Sequence, residues 1–249
     1  MVKSLQDHIT DHSLPRIRER LAHPRGPSPL GDFMLGGVDG VVTTFAVVAG
    51  SAGGQLPAAT VIILGIANLI ADGFSMAVSN YLGTRARQEE VKKGRQDEED
   101  HIRTYPEGER REIREIFARK GLQGTILEKV VDVVTADRKV WVDTMMVEEL
   151  RLDDLAARPI RAAVTTYFAF SICGLVPLIP FLLGLGDFAA MFLASSLLGL
   201  AIFFILGVGN GWVLGTSGLV SGIRTLGIGG GAAILAYSAG HLIRLLIEA

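Results

Sequence analysis

Cysteine is almost missing from this sequence: Cys173 is the only one in 249 residues, and it sits in an apolar run. A single thiol excludes an internal disulfide and a thiolate metal cluster within one chain, so any metal has to be held by oxygen, nitrogen or thioether ligands. Histidine is nearly as scarce, with only His8, His12, His23, His101 and His241. Glu98-x-x-His101 therefore has no second Glu-x-x-His to complete a di-iron carboxylate bundle, which argues against an oxidase. There is no Walker loop for ATP, no ordered Ser/His/Asp set, and no basic patch free of interleaved acids that would suit nucleic acid. The chain is read as something other than an enzyme.

Charge is missing too, from most of the length. Between Arg85 and Arg158 lie 18 of the 26 acids and 16 of the 24 bases, so the net charge of -2 hides a segregated pattern. With 49% hydrophobic residues and a mean hydropathy of +0.39, the remainder reads as membrane protein. Apolar stretches run over Gly31–Ala52, Ala58–Leu82, Ile160–Leu185, Phe188–Val208 and Gly218–Ile243, each near the roughly 20 residues that a helical span requires. The expected architecture is an all-α membrane protein of five transmembrane helices, with a three-helix cytosolic insert between the second and third spans. Its divisions are a leader (1–30), spans 1 and 2 (31–84), the insert (85–158) and spans 3 to 5 (159–249).

The leader carries Lys3, Arg16, Arg18, Arg20 and Arg25 but not the apolar core of a cleavable signal peptide, and Pro15–Ala22 reads as a short interfacial helix. His8 and His12 share a face there, which suits solvated imidazoles better than a metal pair. Lysine and arginine crowd the leader and insert and are absent from the two turns assigned outside, so the N-terminus and insert are expected in the cytosol. The second span should continue as one helix into the cytosol until Tyr105-Pro106 stops it. A second insert helix should end at Lys120-Gly121, and a third should cover Ile126–Leu155. Pro177 and Pro180 should kink the third span, and Gly227, Gly229, Gly230, Gly231 and Gly240 mark the fifth as a packing helix.

Two ionisable groups lie inside spans. Asn68, Asp72, Met76 and Asn80 recur every fourth residue of the second, and so share one slowly drifting stripe. Asp39 interrupts the first span, flanked by Gly36, Gly37 and Gly40. An intramembrane carboxylate costs at least a few kcal/mol, which makes an ion or proton path the default reading; interhelical hydrogen bonding is the alternative. In the insert, Glu98 and His101, Glu109 and Glu112, and Met146 and Glu149 are pairs three residues apart on helix faces. Carboxylates, an imidazole and thioethers together suit a divalent first-row transition ion better than calcium, though charge-rich helices are also commonly just solvated.

The runs DFMLGGVDGVVTTFAVVAG, ADGFSMAVSNYLGTR, YPEGERREIREIFARKGL and WVDTMMVEEL together resemble the vacuolar iron transporter family, from Gly31 onward. A bacterial-type member is suggested, which would place it in an inner (cytoplasmic) membrane. The resemblance implies a homodimer of five-span subunits in the lipid bilayer, exchanging Fe2+, or Mn2+, for protons, with no other cofactor and no nucleic-acid partner. Carried over by position, Asp39 and Met76 match pathway-lining residues. Glu98, Glu109, Glu112 and Glu149 match glutamates of the cytosolic metal site, and Met145 and Met146 its paired methionines. Asn68 stands where eukaryotic members place a glutamate, with Asp72 one turn later, and His101 replaces another insert glutamate. The glycines around Asp39 are expected at the subunit interface. The rival from a different class is a membrane-anchored metal buffer or sensor, which would need no intramembrane carboxylate.

Overall fold

A computed structural model describes residues 9–22, 28–152 and 158–248. Among them every regular element is helical, and the chain falls into two compact units, Ser28–Gly83 with Arg158–Ala249, and Met1–Pro27 with Thr84–Ala157.

In order, the helices are α1 (Leu14–Ala22), α2 (Pro29–Gly53), α3 (Ala58–Thr104), α4 (Pro106–Arg119), α5 (Gly124–Ala136), α6 (Arg138–Glu148), α7 (Pro159–Leu175), α8 (Ile179–Leu182), α9 (Phe188–Val213) and α10 (Gly218–Glu248). Five are long and apolar enough to cross a membrane: α2, α3, α7 continued through α8, α9 and α10. This is a multi-pass membrane protein. The limits have local causes. Pro29 opens α2 behind Ser28, whose hydroxyl accepts from the Leu30 N–H, because a proline at the first helical position loses no bond that the helix would have made. α3 runs 47 residues without a break and stops where Pro106 excludes helical geometry at Tyr105. The third span yields at its prolines: a 3-10 turn (Val176–Leu178) separates α7 from α8, and the Ser195 hydroxyl donates to the Pro177 carbonyl at 2.6 Å.

α2 is the axis of the membrane unit. Val41, Phe45 and Val48 pack against Leu69 of α3, Phe170 of α7 and Phe203 of α9, with Phe45 and Phe203 edge to face at 6.5 Å. The glycines beside Asp39 correct an expectation. A Cβ at Gly36 would lie 2.2 Å from the Thr166 carbonyl oxygen, and one at Gly40 2.3 Å from that of Phe170, while Gly37 faces Cys173 and Leu206. Those glycines bring α7 and α9 of the same chain against α2, so the face they were expected to offer a second subunit is already occupied. α10 meets the expectation at two positions: Gly240 abuts the Gly50 backbone and Gly229 the Phe203 ring. Gly227, Gly230 and Gly231 meet open space.

The insert unit has its own core, in which Ile113, Val131, Val142, Met145 and Met146 are essentially inaccessible. Arg114 of α4 grips Glu128 of α5 through two hydrogen bonds (2.8 and 2.9 Å), and Arg95 of α3 pairs with Asp143 of α6 at 2.7 Å. The expected third insert helix is two. Asp137 leaves helical geometry (φ −110°, ψ 115°) and its carboxylate accepts from the N–H groups of Lys139 and Val140, capping α6. The stretch reaching Leu155, like His8 of the His8/His12 pair, lies outside the described residues.

Candidate functional site

Two groups of polar residues stand out, one in each unit. In the insert, α3 supplies Glu98 and His101, one turn apart, and α4 supplies Glu109 in its first turn and Glu112 one turn on. Glu149 follows the last turn of α6. Glu98 and Glu109 are buried at 2% and 7% exposure, and the Oε2 atom of each has no hydrogen-bond partner. His101 Nδ1 lies 3.9 Å from Glu98 Oε1 and 3.7 Å from Glu109 Oε1, and one ligand atom from each of the three falls within 4.8 Å of the others. Ligands about 2.1 Å from one ion stand roughly 3 to 4 Å apart, so a small contraction closes the set on a cation.

The electrostatics fit a site that lacks positive charge. Burial, then the carboxylates of Glu149 and Glu109, push Glu98 up to about 7, against a smaller opposing pull from His101. Glu109 is raised by burial and then by Glu112. Glu149 is raised by partial desolvation, then by Glu112 and Glu109. Glu98, Glu109 and Glu149 are thus held where burial and nearby negative charge disfavour full ionisation, a cost that a bound divalent ion would cancel. Met145 and Met146 are buried in the adjoining apolar core, and the Met146 sulfur packs toward Gly94, one turn before Glu98. Of the five polar residues expected there, Glu98, His101 and Glu109 bring ligand atoms together, while Glu112 and Glu149 lie within electrostatic reach of them; the two methionines belong first to the core.

The second group is a seam between α2 and α3, which run antiparallel. Asn80 donates to Asp32 Oδ1 at 2.8 Å and to Thr166 Oγ1 of α7 at 2.7 Å. Further along, Asn68 donates to Thr43 Oγ1 at 3.1 Å, and that hydroxyl donates to the Asp39 carbonyl at 2.9 Å. By the same register, Asp39 of α2 and Asp72 of α3 fall between these rungs. Asp39 is half-buried, Met76 partly buried against the core, and Asp72 exposed on the surface of the single chain. Asp32 and Thr43 were not singled out from sequence. Their signal was there: Asp32, Asp39 and Thr43 are seven and four residues apart, which sets them on one stripe of α2 facing the Asn68–Asn80 stripe.

Comparison with known proteins bears on both groups. Residues 30–241 match the model of the VIT family. A vacuolar iron transporter of Toxoplasma gondii is 35% identical over 227 residues, covering 87% of this chain and 74% of that protein. Vacuolar iron transporter 1 of Tulipa gesneriana is 31% identical, over 83% of this chain and 84% of its own. Vacuolar iron transporter 1 of Arabidopsis thaliana is 29% identical, over 98% of this chain and 100% of its own. These relatives are eukaryotic, and a bacterial type is not borne out by them.

Proposed function

The chain belongs to the VIT family, and on that premise we propose that it carries divalent iron across a membrane and out of the cytosol, in exchange for protons. The names of its relatives, iron transporters rather than enzymes, support the cargo. The observation that carries the reading is the polar seam between α2 and α3, whose rungs Asn68–Thr43 and Asn80–Asp32 set Asp39 and Asp72 on facing stretches of the two spans. A divalent ion stripped of water in a low-dielectric passage needs anionic ligands, and two neighbouring carboxylates serve it far better than either alone. Met76, one turn from Asp72, adds a soft ligand that favours Fe2+ over abundant Mg2+; Mn2+ is a second cargo the same ligands accept. When the ion leaves, a proton takes its place on a carboxylate, and exchange follows without further machinery.

The insert is the collecting site, with Glu98, His101, Glu109, Glu112 and Glu149 as its ligands and Met145 and Met146 as reserve donors beside them. The protein works as a homodimer. Asp72 lies exposed on a span, where lipid would be a costly neighbour, and a second copy across that face of α3 shelters it. On the lysine and arginine asymmetry, the N-terminus and insert face the cytosol. The bacterial inner membrane suggested by the sequence has no support among relatives whose names are vacuolar. A membrane-anchored buffer or sensor would use the insert equally well but leaves the paired carboxylates without a purpose.

Purified protein in liposomes with an imposed pH gradient tests the reading. Fe2+ uptake coupled to opposite proton movement is the expected result. Binding of Fe2+ with no flux under any gradient would leave the buffer.

A further inference from the structure

α1, the segment whose sequence reads as a short interfacial helix, takes part in neither polar group. None of its residues is buried, although it belongs to the same compact unit as the insert. Leu14 and Leu21 stand 67% and 77% exposed, and with the partly exposed Ile17 they form one apolar stripe at spacings of three and four. At about 100° per residue, Arg18 and Arg20 fall on the two flanks of that stripe, roughly 70° and 90° from its centre, and Glu19 falls opposite it. Arg16 lies further round the polar side and is held by Asp11 at 2.8 Å. Apolar residues on one face, arginines where the helix would meet a surface and an acid turned to water make the arrangement of a helix lying in a bilayer interface.

Chain length says which surface is within reach. From Ala22 to Pro29, where the first span begins, there are only seven residue steps. Fully extended they reach about 25 Å, whatever path they take. The helix can therefore never leave the neighbourhood of the headgroups, which raises its effective concentration there. We propose that α1 docks on the bilayer through Leu14, Ile17 and Leu21, with Arg18 and Arg20 reading anionic lipid, and so anchors the segment before the first span to the face from which the insert emerges. The surface is shared because two spans separate the leader from the insert.

The test uses the full chain in vesicles of phosphatidylcholine with about 30% phosphatidylserine, set against phosphatidylcholine alone, a composition range over which anionic attraction is felt. An environment-sensitive fluorophore is placed on Leu21→Cys or on Glu19→Cys; Cys173 is buried and gives no background. The label at 21 should be quenched by brominated lipid and the label at 19 by aqueous iodide. Arg18→Gln and Arg20→Gln should each weaken the bilayer-bound population about fivefold in anionic vesicles, with little effect in neutral ones. Iodide quenching both labels equally in anionic vesicles overturns the proposal. So does a label at 21 shielded from iodide yet untouched by brominated lipid, since protein would then cover the stripe.

Discussion

Replacing Glu98 by Gln isolates what the insert's buried carboxylates cost when no ion is bound. Glu98 is 2% exposed, and burial with its acidic neighbours moves it from 4.5 to about 7. Across that window the unfolded chain ionises while the folded chain keeps its proton. The native state thus binds more protons than the unfolded one, and stability falls as pH rises from about 4.5 to about 7, then levels off where both states are ionised. A displacement of this size is worth roughly 3 kcal/mol at face value. Glu112 and Glu149 are exposed, so water screens one side of the cluster, and roughly 1–2 kcal/mol is the better expectation. Glu98→Gln has no proton to lose. Metal-free and in nanodiscs, it should therefore be more stable than the native chain by that amount at pH 8 and no more stable at pH 4.5. Thermal unfolding with chelator present, followed by the fluorescence of Trp141, which is buried in the insert core, reads the difference. Co2+ should invert the order. The native protein gains about 2.7 kcal/mol at a hundredfold excess over its Kd, and the variant, short of one ligand, gains less. The same pH dependence in both proteins would refute the reasoning.

Three further outcomes follow from named contacts. Gly40→Ala puts a methyl against the Phe170 carbonyl and should destabilise the membrane unit by about 1–3 kcal/mol or more, read as a lower melting temperature in detergent; an unchanged one would mean that α2 and α7 separate easily. Asn80→Ala removes the donor to Asp32 and Thr166 and should cost about 1–3 kcal/mol in the same assay, because it leaves a half-buried carboxylate with fewer partners. His101→Ala should weaken Co2+ binding by more than the roughly tenfold that follows loss of an outer-shell partner. Calorimetry showing native affinity would make His101 a bystander.

The spans were legible because bilayer thickness writes itself into the length of apolar runs, and α3 because nothing before Pro106 breaks a helix. The division at Asp137 was not, since Val133, Val134, Val140 and Trp141 keep helical spacing across it and apolar periodicity does not register a break that preserves phase. The capping aspartate was the available sign. The glycines beside Asp39 show a deeper limit: small residues announce that a backbone approaches closely, but not whether it belongs to the same chain, and here it is α7. The acidic insert could be narrowed to pairs on helix faces, yet only the packing of α4 beside α3 brings Glu109 to Glu98 and His101. In the membrane, the stripe on α3 was readable by itself; its partner on α2 needed the antiparallel register that sets Asp32 against Asn80 and Thr43 against Asn68.

The central claim is that Asp39 carries charge through the membrane and does not merely hold helices together. Asp39→Asn keeps the shape and hydrogen-bonding capacity and removes the charge. In liposomes with a pH gradient, the account predicts a folded protein that still binds Co2+ at its insert with native affinity but moves neither Fe2+ nor protons. Native Fe2+ flux from that variant would contradict it.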